Sequence, residues 1–296
     1  MYYYILNPAA GRGKVSQIEQ RLRDRLKELG ISGEFAKTTG PADATKMAYA
    51  AVAKGANTIV AVGGDGTVNE VINGIKKDNV AVGIVPVGKQ NSLAKKLGVY
   101  NWQQAAELLA SRRLSSFNLM AAGSHYFLSD LSVGYNAHLD KQVDSGSTGL
   151  KNRLREISQT FTHTKNFETF KCKLTIDDDL KLEAEMFSLE VTNQKFQDPA
   201  TANKLVLTFS ERPTGKQLGS QVFKKVWSKS SYDQFHSRLL ANRVLIETSP
   251  EQSVMIDSKL SGRTPVVVRL TEKKIRFVCG RDLPAPTKKP PAIVDA

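Results

Sequence analysis

"VAVGGDGTVNEVINGI", residues 60–75, decides how the first part of the chain is read. Val60, Ala61 and Val62 end a short apolar run of the kind that forms a buried strand, and Val68, Val71, Ile72 and Ile75 recur at helical spacing. Between them stand Gly63, Gly64 and Gly66 around one carboxylate, Asp65. A strand gains nothing from these glycines, because Gly weakens a pleated ladder and costs backbone entropy. Glycines do let backbone N–H groups approach a bound anion, and the positive end of a helix dipole favours negative charge. The stretch therefore reads as a strand, a ligand-facing turn and a helix.

Outward from it the same alternation repeats. "YYYIL" (2–6), "EFAKT" (34–38), "TIVAV" (58–62) and "VAVGIVP" (80–86) read as strands. Helices separate them, striped by Ile18, Leu22, Leu26 and Leu29, by Ala44, Met47, Ala48, Ala51 and Val52, and by Trp102, Ala105, Ala106 and Leu109. Alternating strands and helices argue a parallel sheet covered on both faces. In such sheets ligands sit beyond the carboxyl ends of the strands. The four unusual loops, "NPAAGRGK", "TTGPADA", "GGDGTVN" and "PVGKQNS", all follow strands. Past residue 122 the period changes to two: "KCKLTID", "KLVLTFS", "RVLIE", "SVMID", "PVVVRL" and "IRFVC" alternate as short antiparallel strands do. The expected architecture is an α/β domain over 1–122 and an all-β antiparallel sandwich over 123–280. A Pro-rich tail follows over 281–296.

Composition narrows the class. Of 296 residues, 41% are hydrophobic, enough for two cores. Cys172 and Cys279 lack metal or redox spacing and read as buried thiols. No apolar run approaches the roughly 18 residues of a membrane span, and the N-terminal run of five is too short for a signal peptide, so the expectation is a cytoplasmic protein. The net charge is +13, with +7 in residues 1–125 and +6 in the rest. Cation excess spread in this way makes no nucleic-acid arm, and none is expected as a partner. It suits attraction to a peripheral anionic membrane surface or to phosphate-bearing ligands. A homodimer is expected on base rate alone.

"GGDGT" matches neither the dinucleotide fingerprint nor the P-loop pattern. An acid among glycines at a phosphate site repels phosphate unless a cation intervenes, so Asp65 suggests Mg²⁺. The plainer alternative makes Asp65 the N-cap of the helix at Val68.

At these residues the chain resembles the diacylglycerol kinase and sphingosine kinase family, its bacterial lipid kinases in particular. The resemblance runs through "NPAAG" (7–11), "GGDGTVNEVINGI" (63–75), "VGIVPVGKQNSLAKKLG" (82–98) and "FLSDLSVGYNAHL" (127–139), and more faintly through "VMIDSKLSGRTPVVV" (254–268). NAD kinases and phosphofructokinases share the Gly-Gly-Asp-Gly element without the flanking motifs. The resemblance implies ATP and Mg²⁺ as cofactors, and transfer of the γ-phosphate to a hydroxyl of a diacylglycerol- or sphingoid-like lipid. By position it implies that the nucleotide is held by Asn7, Pro8, Ala9, Ala10, Gly11 and Thr38, by Gly63, Gly64, Asp65, Gly66, Thr67, Val68 and Asn69, and by Lys89 and Asn91.

Three departures fall on functional positions of that pattern. The family's Gly-Thr-x-Asn is Gly88-Lys89-Gln90-Asn91, its Asp-Asp-Gly is Thr201-Ala202-Asn203, and its Asp-Gly-Glu is Asp257-Ser258-Lys259. The Glu of the last motif is the family's catalytic base, and an ammonium of ordinary pKa accepts no proton at pH 7. Asp65, Asp257 and Lys259 are thus the candidate catalytic residues, with 257 and 259 expected on one face of an extended strand. Asp140, Asp144 and His138 are further candidates that nothing distinguishes. Two readings stand open: a lipid kinase with a rearranged site, and a non-catalytic relative that binds nucleotide or lipid.

Overall fold

A computed structural model describes residues 1–77, 79–135, 137, 167–193, 204–212, 236–257 and 259–280. Two compact units make up the chain. One comprises Met1–Ser129, Asn193–Asn203 and Arg269–Pro286, the other chiefly Asp130–Thr192 and Lys204–Val268.

The first unit is a parallel sheet with helices. Its strands β1 (Tyr2–Leu6), β2 (Gly33–Lys37), β3 (Thr58–Gly63) and β4 (Ala81–Pro86) lie in the order β2-β1-β3-β4. Every residue of β3 and β4 is buried, so these strands read as continuous apolar runs. The helices are α1 (Lys14–Glu28), α2 (Asp43–Ala53), α3 (Asp65–Gly74), α4 (Ser92–Lys96) and α5 (Trp102–Ser111). In α1, Val15, Ile18, Leu22 and Leu26 are buried, one stripe at helical spacing. Asn101 caps α5 by accepting from the Gln104 N–H at 2.8 Å. The short α4 went unread in the sequence, because five residues are too few to show a period.

The unit also takes a hairpin, β5 (Leu114–Ala122) with β6 (His125–Phe127), and the end of a long strand from the far end of the chain. "PVVVRL" and "IRFVC", read as two strands of the second domain, belong to one thirteen-residue strand, Val266–Val278 (β16). Its Arg276 and Phe277 pair parallel with Ala81 and Val82 of β4. A cut at residue 122 therefore differs from the observed division. The two-residue period marks a strand but is silent on which sheet receives it.

The second unit is antiparallel. One sheet runs β12 (His236–Ala241), β11 (Leu205–Ser210), β10 (Ser188–Asn193), β7 (Asp130–Gly134), β14 (Ser253–Ile256), β15 (Lys259–Arg263). In the other part β8 (Phe170–Ile176) pairs with both β13 (Arg243–Ser249) and β9 (Leu180–Met186). The alternation in "KCKLTID" is real: Phe170, Cys172, Leu174 and Ile176 are buried and the residues between them are less so. Both cysteines are free and buried, and burial pushes the Cys172 thiol up to about 12.

Gly134 shows how closely the second unit is packed. Its φ of 79° is left-handed, and a Cβ there would stand 2.3 Å from the Phe170 ring. The variant Gly134→Ala is expected to lose about 3 kcal/mol, from strain and overpacking together. Chemical denaturation checks this; an unchanged midpoint would show that the ring moves aside freely.

Candidate functional site: the glycine loops of the parallel sheet

Parallel register brings the carboxyl ends of the strands level, since Leu6 pairs with both Lys37 and Val62, and Gly63 with Pro86. The loops that follow are stitched to one another. Asn7 N–H donates to Val62 O (3.0 Å), and the Asn7 amide donates to Thr67 Oγ1 (2.9 Å). Asn7 Oδ1 in turn accepts from Ala9 N–H at 3.1 Å. Val87 and Gly88 both donate backbone N–H to Gly63 O, at 2.9 and 3.2 Å. Thr38 N–H reaches Leu6 O at 2.8 Å.

Glycine is required where these loops meet. A Cβ on Gly88 would lie 2.5 Å from the Gly64 Cα, and a Cβ on Gly11 2.0 Å from Val87 O. Gly11 also has a φ of 61°, in a 3₁₀ turn over Ala10–Arg12. Three loops thus touch backbone to backbone, which leaves their N–H groups unscreened by side chains. Asn91, at φ 50°, donates its amide to Gly88 O at 2.8 Å, while its Oδ1 is buried with no hydrogen-bond partner.

Asp65 has a partner that the sequence did not disclose. Its Oδ2 accepts from Ser92 N–H (3.0 Å) and its Oδ1 from Leu93 N–H (2.9 Å), so one carboxylate caps the start of α4 with both oxygens. It does not cap its own helix: α3 begins at Asp65, and its N-cap, Gly64, makes no side-chain cap bond. The carboxylate ties the third loop to the fourth. Helix ends carry unsatisfied N–H groups that favour a negative partner.

The other expected nucleotide residues divide. Pro8, Ala10 and Thr38 are half-buried, and Ala9, Gly66 and Lys89 are exposed. Val68 is in the core, and the Asn69 amide leans toward Tyr126 O at 3.4 Å. Asn73, unremarked in the sequence, takes up both backbone groups of Tyr126, donating to its O at 2.8 Å and accepting from its N–H at 3.0 Å. In the second loop Asp43 gathers the Thr39 hydroxyl and the Thr39 and Gly40 N–H groups. The Thr39 hydroxyl, then these amides, hold the Asp43 carboxyl below its ordinary range.

The downstream candidates sit on a hairpin. Ile256 of β14 pairs with Lys259 of β15, so Asp257 stands at a tight turn, with φ 48°. Residues 257 and 259 therefore do not share one face of an extended strand, as the sequence had suggested. Asp257 is buried, its N–H donates to Asp130 O (3.0 Å), and its Oδ1 accepts from Asp130 N–H (3.3 Å). Lys259 is exposed. Ser258, Thr201-Ala202-Asn203, His138, Asp140 and Asp144 lie outside the described residues.

The loops suit a nucleotide phosphate in that their glycines keep side chains out of the place where the backbones meet. Among the described residues no three His, Cys, Asp or Glu side chains gather as a metal site, and both Asp65 oxygens are engaged by amides. Fold and loops together define a kinase-like α/β domain joined to an antiparallel unit.

Comparison with known proteins places it further. Residues 1–122 match the family model of the diacylglycerol kinase catalytic domain. A protein of Staphylococcus haemolyticus named as a putative lipid kinase is 26% identical over 234 residues, covering 73% of this chain and 74% of that one. One of Staphylococcus aureus strain JH9, similarly named, is 25% identical over 246 residues, 78% of this chain and 80% of its own. A solved diacylglycerol kinase from Bacillus anthracis superposes with a TM-score of 0.70 at 22% identity, covering 95% and 97% of the two chains. An Archaeoglobus fulgidus NAD kinase in complex with ATP gives 0.53 at 12%, covering 96% and 95%. At such identities the structures speak for the fold alone. The chain is thus similar to the diacylglycerol kinase-like lipid kinases, through their catalytic-domain model over residues 1–122 and through relatives at about a quarter identity. No described helix is long and apolar enough to cross a membrane.

Proposed function

We propose that the chain binds ATP at the glycine loops and transfers its γ-phosphate to the hydroxyl of a diacylglycerol- or sphingoid-like lipid. The observation that carries this is the backbone contact of the first, third and fourth loops at Gly11, Gly64 and Gly88, which excludes side chains from the edge where the helices begin. Phosphoryl transfer asks mainly for positioning and charge stabilisation, which such a cradle supplies. The acceptor oxygen attacks the γ-phosphorus, the bridging P–O bond breaks, ADP departs, and the hydroxyl proton passes to a base. Lys89, exposed beside the cradle, is placed on the fourth loop to meet phosphate as a point charge.

A second reading, a nucleotide- or lipid-binding protein without turnover, is favoured by the hairpin at 257–259. The residue at the base position is an exposed lysine, and the nearby Asp257 carboxylate is turned to the Asp130 backbone. Two measurements separate the readings. ATP at one hundred times its Kd is expected to stabilise the protein by about 2.7 kcal/mol, seen as a raised Tm. No shift would remove the nucleotide site from both readings. Transfer of radiolabel from ATP to lipid alcohols in mixed micelles then tests turnover; nucleotide stabilisation without any labelled lipid leaves the second reading in force.

A further inference from the structure

At the other end of the first unit's sheet lies an open groove of about 790 Å³, lined by Asn79, Ser116, Asn118, Glu272, Lys274 and Arg276. Its position follows from register. Arg276 pairs with Ala81, the first residue of β4, whereas the nucleotide loop follows Pro86 at the last. Five residues of strand separate these points by about 17 Å.

Its chemistry follows from the period of two. Glu272, Lys274 and Arg276 alternate along β16, and β5, paired beside it, contributes Ser116 and Asn118. Arg276 donates from Nη2 to Asn79 O, which fixes the guanidinium, yet its Nε–H is buried and has no partner. A buried guanidinium donor left unpaired is costly, and a phosphate oxygen is the acceptor whose geometry it matches. Lys274 is exposed at the groove and forms no ion pair among the described residues. Lys76 and Lys273 line the adjoining hollow with Tyr126, and Lys273 is anchored there by its bond to Ile75 O (2.8 Å). Glu272 borders both spaces and is the one acid among their described lining residues. Asp78 lies outside the described residues.

We propose that this groove is a second anion site, separate from the nucleotide loops, which takes a phosphate ester through Arg276 Nε–H and the Lys274 ammonium. Two sources supply that group: a soluble phosphate ester, or the headgroup of an anionic phospholipid. The site uses none of the nucleotide residues, so it stands whether or not the kinase reading does.

The test uses the full chain, labelled with ¹⁵N. Glycerol 3-phosphate is expected to shift the amide signals of Ser116, Asn118 and Lys274 saturably. Arg276→Gln and Lys274→Gln should each weaken that binding by about tenfold, and Glu272→Gln should tighten it severalfold, because an opposing charge is removed. Thermal unfolding without ligand should stay cooperative and within a few degrees of the parent in all three, which certifies their fold, and any ATP-induced rise in Tm should be unchanged. Flotation with phosphatidylglycerol vesicles, against phosphatidylcholine vesicles as control, separates the sources. Binding of glycerol 3-phosphate without flotation assigns a soluble ester. Flotation that Lys274→Gln and Arg276→Gln abolish assigns the lipid headgroup. The proposal is overturned if neither probe binds, if the shifts are confined to residues 7–13, 63–69 and 86–91, or if both substitutions leave binding unchanged.

Discussion

Placing a carboxylate at position 259, by the pair Ser258→Gly and Lys259→Glu, is expected to raise phosphoryl transfer to a lipid alcohol by about 10²- to 10⁴-fold, the usual contribution of a positioned general base. The expectation rests on the hairpin geometry. Position 259 opens β15 directly opposite Ile256, and its side chain is exposed, so a glutamate fits there without disturbing a core. Asp257, with its own backbone and carboxylate bonded to Asp130, continues to hold the turn. The gain should appear in kcat, since a base acts on the chemical step, and should be absent in the paired control Ser258→Gly with Lys259→Gln. A variant that keeps its ATP-induced stabilisation yet transfers no faster than the parent would show that more than the base is missing, and would favour the binding reading.

Asp65→Ala is expected to destabilise the first unit by about 3 kcal/mol, a fall in Tm of roughly 5–10 °C. Two amides at the start of α4, those of Ser92 and Leu93, lose a charged acceptor together. The fourth loop loses its side-chain tie to the third and keeps only the bonds of Val87 and Gly88 to Gly63 O, so ATP affinity should fall with stability. Asp65→Asn, which keeps one acceptor oxygen, should show about half the loss. This differs from what a metal ligand would give. Removing a ligand to a bound Mg²⁺ would weaken Mg²⁺-dependent ATP binding and leave the apo protein's Tm in place. Unchanged thermal unfolding of Asp65→Ala, measured without nucleotide or metal, would return the carboxylate to the metal role that its glycine setting first suggested.

The two halves of the chain were unequally legible. In the first unit local signals agree: β3 is a continuous apolar run, α3 carries its stripe, and the loops between are rich in Gly, Pro and Asn. Short strand-to-helix connections leave the chain few alternatives, so fold class and ligand edge both follow from spacing. In the second unit alternation identified β8, β11, β13 and β14. It passed over β9, whose Leu180–Met186 stretch is mostly exposed and charged, and β10, whose polar residues are buried among apolar ones.

By itself, then, the sequence determined the parallel sheet, the clustering of four loops at its carboxyl edge, and the presence of glycine where backbones meet. These depend on contacts within short spans, where residue type and spacing are enough. The tertiary structure decided what Asp65 holds, where β16 ends, and how residues 257–259 are presented. Each of these depends on a partner that carries no side-chain signature or stands far along the chain. The amides of Ser92 and Leu93 look like any others in the sequence, and β4 meets Arg276 across 195 residues. The turn at Asp257 is set by Ile256 finding Lys259 across a ladder, a pairing that the two-residue period leaves open.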